Sequence, residues 1–166
     1  MLTTAYRIDG PTAVRYPRGS GPGVAVHAEL DSLPVGKGEI RRHGRRIALL
    51  AFGSMVGPAL PAGDELDATV ANMRFVKPLD HQLVAELARD HDLLVSIEEN
   101  SIIGGAGAEI ARSLESAGSL CPLLRLGLPD QFIDHGDSAL LLAECGLDAK
   151  GIVAAVNKLI AQKVNN

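Results

Sequence analysis

The run from residue 93 to residue 107 constrains the fold of this chain more than any other stretch. It opens with Leu93–Ile97, a largely apolar segment between polar residues, which is typical of a strand covered on both faces. Two carboxylates, Glu98 and Glu99, follow, and glycines then introduce a helical pattern that ends near Ala117. Open α/β sheets carry their working surfaces at such strand-to-helix turns. The run therefore predicts an α/β domain with a candidate site at this turn.

From Gly36 onward the chain alternates between strand and helix patterns. The strand patterns cover residues 37–42, 46–52, 68–73, 93–97 and 121–126. Such alternation predicts a three-layer α/β fold around a mainly parallel sheet with right-handed crossovers. We expect residues 37–42 and 46–52 to form a hairpin that adds one antiparallel edge strand.

Three aspartates mark the starts of predicted helices, and two prolines interrupt another. Asp80, Asp137 and Asp148 each precede a helical pattern at the N-cap position. The helical pattern at residues 55–66 contains Pro58, Pro61 and Gly63, and interior proline costs a helix about 3 kcal/mol. We therefore expect this helix to be short or irregular, and its integrity stays open.

The first 35 residues differ from the rest. A strand-like piece at residues 13–16 is broken by Pro17 and followed by a turn-rich run at residues 19–23. One strand with a long connector does not close a domain. We expect residues 1–35 to be the tail of a preceding domain plus a linker, and residues 36–166 to form the main domain. Whether residues 1–35 are ordered on their own stays open.

Charge and composition argue against two classes of partner. The formal net charge is −4 and aromatic residues make up 3% of the chain, which disfavours nucleic acid. The basic cluster at residues 41–46 surrounds His43-Gly44 and indicates an exposed hairpin rather than a phosphate-binding patch. No run approaches the roughly 20 apolar residues needed to span a bilayer, and no secretory signal is present. We expect a cytoplasmic protein without a membrane partner.

Five stretches together carry a family resemblance. They lie in order along the chain at residues 9–19, 33–38, 73–80, 98–107 and 127–133. They resemble the C-terminal domain of the transketolase superfamily of thiamine-diphosphate enzymes, and most closely its 1-deoxy-D-xylulose-5-phosphate synthase branch. In that branch residues 1–35 correspond to the tail of the pyrimidine-binding domain plus a linker, and residues 36–166 to the transketolase C-terminal-like domain.

The resemblance implies an activity for a longer enzyme. Such synthases condense pyruvate with glyceraldehyde 3-phosphate, release carbon dioxide and supply isoprenoid and thiamine biosynthesis as homodimers. Thiamine diphosphate and Mg²⁺ bind between the first two domains through a Gly-Asp-Gly motif. Here Gly63-Asp64-Glu65 and Gly136-Asp137-Ser138 depart from that motif at the third position. We therefore expect no cofactor, no metal and no catalytic residue in this chain, which would be inactive alone and would serve assembly with the cofactor-binding domains.

The resemblance also implies roles for individual residues. Arg18, after Tyr16-Pro17, resembles the family arginine that grips the substrate phosphate. Adjacent strand residues face opposite ways, so Glu98 and Glu99 are not expected to share a proton. We expect contacts with the neighbouring domain or subunit from Glu98, Glu99, Asn100, Gly104, Gly105 and Gly107.

Other functions stay open on the sequence. The same fold could serve an independent regulatory module that binds a phosphate at the glycine-rich helix start. Alternatively, the chain could be the C-terminal domain of transketolase or of a 2-oxo acid dehydrogenase β subunit. The oligomeric state of the isolated chain is also open.

Overall fold

A five-stranded sheet organises the computed structural model, which describes residues 1–16 and 29–164. The strands are β1 (Glu39–Arg42), β2 (Ile47–Ala51), β3 (Thr69–Asn72), β4 (Leu93–Ser101) and β5 (Leu123–Leu128). The helices are α1 (Leu2–Arg7), α2 (Val56–Leu66), α3 (His81–Asp90), α4 (Ala106–Ser116), α5 (Ser138–Glu144) and α6 (Ala149–Val164), and a 3₁₀ turn at Gly53–Met55 precedes α2. None of the helices in these ranges has the length and apolarity to cross a bilayer.

The strand order is β1-β3-β2-β4-β5. Strands β3, β2, β4 and β5 run parallel, and β1 pairs antiparallel with β3 at one edge. The predicted mainly parallel sheet with one antiparallel edge strand is confirmed.

Helices cover both faces of the sheet, as the predicted three-layer fold requires. On one face α2 and α6 pack through Ala59, Ala62 and Val156 against the odd-numbered apolar residues of β2. On the other face α3 and α4 bring Val84 and Ile110 onto the even-numbered ones. All five residues of β2 are buried. Continuous burial of a central parallel strand explains why it is uninterruptedly apolar rather than alternating.

The predicted hairpin between β1 and β2 is wrong. Strand β2 has β3 on one side and β4 on the other, so neither of its edges is available to β1. The connection between them passes against the end of α2, where a Cβ on Gly44 would lie 2.2 Å from the backbone carbon of Ala68. Gly44 N–H also donates to Thr69 Oγ1 at 3.0 Å. These contacts hold the β1–β2 connection across the start of β3. Strand β1 therefore lies on the far side of β3 and pairs with β3 instead of β2.

Helix α2 is continuous, contrary to the expectation of a short or irregular helix. Pro58 is the third residue of α2, where a backbone N–H has no partner within the helix. Pro61 lies in the interior, but Ala62 and Gly63 beside it are fully packed. A Cβ on Gly63 would lie 2.5 Å from Val70 Cγ2, so the helix sits very close to the sheet. This packing holds α2 together across Pro61.

The strand expected at residues 13–16 does not form. The regular element near the N-terminus is instead helix α1, at Leu2–Arg7. A lone extended segment leaves its backbone groups without ladder partners. Helix α1 is fastened to the segment before the main domain, since Thr4 Oγ1 accepts from Leu33 N–H at 2.8 Å and Arg7 donates to Ser32 Oγ at 3.0 Å.

Candidate functional site

The turn between β4 and α4 lies where the chain reverses its direction of winding. From β2 the chain passes through α2 to β3 on one side, and it then returns through α3 to β4 on the other side of β2. The carboxyl ends of β2 and β4 therefore border the switch point at which open α/β sheets form crevices. Strand β4 extends to Ser101, four residues beyond the predicted end, so both carboxylates belong to the strand.

Glu98 is buried and begins helix α4. Its carboxylate accepts hydrogen bonds from Ala106 N–H at 2.7 Å and Gly107 N–H at 2.8 Å. These are two of the N–H groups that the first turn of a helix leaves without a partner, and a negative charge there is favoured by the helix dipole. Glu98 therefore occupies the position that an external anion would take.

Two glycines allow the backbone to wrap closely around Glu98. A Cβ on Gly105 would lie 2.3 Å from Glu98 Oε2 and 2.4 Å from the carbonyl oxygen of Ser101. A Cβ on Gly107 would lie 2.6 Å from Ser96 Oγ. The glycines are thus required by close packing inside the domain.

Glu99 points away from Glu98, as the alternation of a strand predicts. Its carboxylate accepts from Ser54 Oγ at 2.5 Å, which joins the ends of β2 and β4 across the switch point. Its backbone oxygen accepts from Arg15 Nη2 at 3.1 Å. The predicted opposite orientation of the two carboxylates is confirmed, because they contact separate partners.

The contacts of Ser54 and Arg15 were not found from the sequence. Ser54 is 45 residues and Arg15 84 residues from Glu99 along the chain. Ser54 follows the apolar run of β2, and its position after a central strand is the one signal that pointed to this edge.

Only some of the residues predicted to contact a neighbouring domain or subunit are accessible at the surface of the turn. Glu98 and Gly107 are buried by the domain itself, and Gly105 is half-buried. Glu99 and Asn100 are half-buried, and Gly104 is exposed. Ile103 beside them is 65% exposed, and it adds an apolar side chain to this edge.

Arg74 lies just after β3 and pairs with an acidic residue of β1. Its guanidinium forms an ion pair with Glu39 at 2.5 Å, and its backbone N–H donates to Asn72 Oδ1 at 3.1 Å. The antiparallel pairing of β1 with β3 brings Glu39 opposite Asn72, and Arg74 therefore meets Glu39 first. Arg18, predicted to bind a substrate phosphate, lies outside the described residues.

The two Gly-Asp pairs have structural roles that do not fit a magnesium–diphosphate site. Asp64 accepts from Arg42 Nε at 2.7 Å, and this hydrogen bond raises the pKa of the Arg42 guanidinium. Asp137 caps α5 by accepting from Ala139 N–H and Leu140 N–H. Within residues 1–16 and 29–164, no three His, Cys, Asp or Glu side chains are grouped so that they could hold a metal ion.

Two histidines serve helix ends and helix contacts. His91 Nδ1 lies 2.9 Å from the carbonyl oxygen of Leu87, and its Nε2 lies 2.8 Å from Thr69 Oγ1. His81 Nδ1 lies 2.8 Å from Ser113 Oγ and so links α3 to α4. Glu109, near His81, is held by Arg112, whose guanidinium lowers the pKa of that carboxyl.

The basic cluster at residues 41–46 is paired with acidic side chains. Arg42 contacts both Asp64 and Asp67, and Arg46 Nε lies 2.8 Å from Asp92 Oδ2. Each arginine of the cluster therefore has a carboxylate partner within the domain.

Comparison with known proteins places this arrangement in a family. The model of the family "Transketolase, C-terminal domain" matches residues 36–152. The chain belongs to this transketolase C-terminal domain family. The match begins where the strand and helix alternation begins, and it contains the Glu98 turn.

Relatives of high identity carry one name. The chain is 67% identical over 94% of its length to a 1-deoxy-D-xylulose-5-phosphate synthase of Dechloromonas aromatica, of which it covers 25%. It is 62% identical over 95% of its length to the synthase of Nitrosomonas europaea, of which it covers 26%. The chain thus spans about a quarter of the length of the curated relatives it matches.

A solved structure shares the fold. It is described as a split gene transketolase, an inactive beta4 tetramer, and it superposes with a TM-score of 0.69 at 35% sequence identity. The match covers 77% of this chain and 43% of that one.

Proposed function

We propose that this chain is the C-terminal domain of a 1-deoxy-D-xylulose-5-phosphate synthase and that it serves the assembly of that enzyme. The observation that supports this most directly is the identity of 60% or more to several such synthases along nearly the whole chain. The complete enzyme would join pyruvate to glyceraldehyde 3-phosphate with release of carbon dioxide. It would be a thiamine-diphosphate-dependent transferase of isoprenoid and thiamine biosynthesis.

In this proposal the cofactors bind elsewhere in the enzyme. Thiamine diphosphate and Mg²⁺ would belong to the cofactor-binding domains, since Asp64 and Asp137 here are committed to Arg42 and to the start of α5. Arg18 would bind the phosphate of the acceptor substrate in the intact enzyme. Planar guanidinium groups suit this task because they pair with phosphate oxygens through two hydrogen bonds.

The proposed assembly surface is the carboxyl edge of β2 and β4. Glu98, Gly105 and Gly107 shape the turn from inside, and Glu99, Asn100 and Gly104 present it outward. The Arg15 hydrogen bond to Glu99 brings the segment preceding the domain to the same edge. Residues 1–35 would be the tail of the pyrimidine-binding domain plus linker, so the cofactor-binding domains would approach from this side.

The remaining parts of the proposal concern partners and place. We propose a homodimer of the complete enzyme in the cytoplasm, with neither nucleic acid nor membrane as a partner. The pairing of the basic cluster with carboxylates supports the exclusion of nucleic acid.

The first test is the mass of the native polypeptide, measured with an antibody raised against this domain. We expect a band about four times the 17.4 kDa of this chain, since the relatives are about four times as long. The purified longer polypeptide should form 1-deoxyxylulose 5-phosphate when given both substrates, thiamine diphosphate and Mg²⁺. The chain alone should give no product under the same conditions.

Two outcomes would contradict the proposal. Turnover by the isolated chain would mean that it holds catalytic machinery of its own. A native band at 17.4 kDa would mean an independent product and would favour the regulatory module. The geometry argues against that module, because the Glu98 carboxylate already takes the α4 N–H groups that a phosphate would need.

A further inference from the structure

Helix α5 is well defined by its sequence but poorly supported by its own domain. Asp137 caps its first turn, and the chain turns at Gly146 beyond its end. It has seven residues and none of them is buried, whereas isolated helices shorter than about 12 residues are marginal in water. From α5 and its C-cap, Leu142 and Cys145 pack against the core and are only partly buried. The outer side of α5 lacks packing within the described structure.

The segment leading into α5 is exposed without interruption. Every residue from Pro129 to Leu140 is exposed, and Phe132, Ile133 and Leu140 are among them. Phe132 has the full exposure of an isolated side chain and Leu140 is 65% exposed. We name residues 129–144 the arm. Apolar side chains gathered on an exposed segment mark a surface that a partner covers.

The arm also carries the net charge of the whole chain. It contains Asp130, Asp134, Asp137 and Glu144, and it has no lysine or arginine. Without these four carboxylates the chain has sixteen acidic and sixteen basic side chains. A complementary partner must therefore offer an apolar centre with lysine or arginine around it. Nucleic acid and anionic lipid have the wrong charge, and two arms of identical copies would repel each other.

We infer that the arm docks onto a cationic, apolar-centred surface in the remaining three-quarters of the same enzyme. This inference rests on the proposed function, and it adds a second contact surface to the turn at Glu99. The occupant follows from the length of the relatives, of which this chain covers about a quarter, and from the sign of the charge on the arm. Docking supplies α5 with the packing that its own domain does not give it.

Hydrogen–deuterium exchange of the isolated chain and of the longer polypeptide tests this inference. We expect amides of residues 131–144 to exchange at least about tenfold more slowly in the longer polypeptide, because docking suppresses local opening. Equal exchange in both would overturn the inference. Slowing in the isolated chain that grows with its concentration would also overturn it, since the occupant would then be a second copy.

Paired substitutions separate docking from folding. Phe132→Ser with Leu140→Ser should remove the protection of the arm in the longer polypeptide and lower its melting temperature. The isolated chain should keep its melting temperature within about 2 °C, because exposed positions cost little. Leu120→Ser is the matched control, since Leu120 is 98% exposed but lies outside the arm, and it should change neither protein. If the double substitution changed the protection of the arm no more than Leu120→Ser does, the inference would be overturned.

The same exchange data keep the two proposals apart. Protection of residues 99–104 without protection of the arm would overturn the docking of the arm and leave the proposed function intact. Protection of neither surface would contradict both.

Discussion

The carboxylate of Glu98 binds the free N–H groups at the start of α4. The sequence had left these groups open to an external anion such as phosphate. A buried carboxylate is costly unless it is hydrogen-bonded, and this one is satisfied by two backbone N–H groups at 2.7 and 2.8 Å. The alternation of side chains along β4 made its separation from Glu99 predictable. Its partners were not predictable, because they depend on how the glycine turn folds back onto the strand.

Gly105 offers a direct test of that turn. Gly105→Ala would put a Cβ 2.3 Å from Glu98 Oε2 and 2.4 Å from the carbonyl oxygen of Ser101, which is backbone and yields little. We expect a loss of about 1–3 kcal/mol in the free energy of unfolding, as for other overpacked sites. Chemical denaturation monitored by circular dichroism measures it.

Gly136→Ala is the matched control for this substitution. The Cβ there would meet only the Leu141 side chain, at 3.5 Å or more. Its effect should stay within about 0.5 kcal/mol. Equal effects of the two substitutions would show that the turn does not pack as closely as described.

Among the elements, α2 best illustrates packing that overrides local propensity. The prolines predicted an interrupted helix, yet α2 runs unbroken from Val56 to Leu66. One proline occupies the first turn, where it is tolerated. The other is held in place by contacts of its neighbours with β3 and α6, which no local pattern reveals.

Pro61→Ala should stabilise the chain. Alanine restores an N–H that can reach the Gly57 carbonyl and removes the clash of the proline ring with it. The gain is reduced by the extra freedom of the unfolded chain, which leaves about 1–2 kcal/mol. Differential scanning calorimetry should record a higher melting temperature.

Pro58→Ala serves as the comparison, because Pro58 is the third residue of α2 and breaks no helical hydrogen bond. It should be neutral or cost up to about 1 kcal/mol. If Pro61→Ala also lowered the free energy of unfolding by about 1 kcal/mol, the prediction would be wrong. Pro61 would then stabilise the helix through its packing.

At the scale of the whole molecule, residues 1–16 stand apart from the core. Among the described residues, both hydrophobic clusters are built from residue 40 onward, and residues 1–16 reach the β4 edge through the Arg15 hydrogen bond to Glu99. This segment therefore adds little to the cooperative unit of the domain.

Removal of residues 1–28 should lower the melting temperature by less than about 4 °C, which corresponds to roughly 1 kcal/mol for a chain of this size. Thermal unfolding of the shortened and complete chains measures the difference. A decrease beyond about 10 °C would contradict the separation, because it would make the segment part of the core.

The sequence alone determined the features that arise from local periodicity and from composition. Apolar runs, aspartate caps and alternation specified the five strands of the sheet, most helices and the mainly parallel α/β class, because these patterns act over a few residues. The opposite orientation of Glu98 and Glu99 followed from the same two-residue period.

The tertiary structure decided which segments meet. In the folded sheet the two edges of β2 pair with β3 and β4, which leaves none for β1. The fold also brings Arg74 to Glu39. It also brought Ser54 and Arg15 to Glu99 across 45 and 84 residues. Such pairings depend on competition among distant partners for one edge or one carboxylate, and that competition is resolved only when the whole sheet has formed.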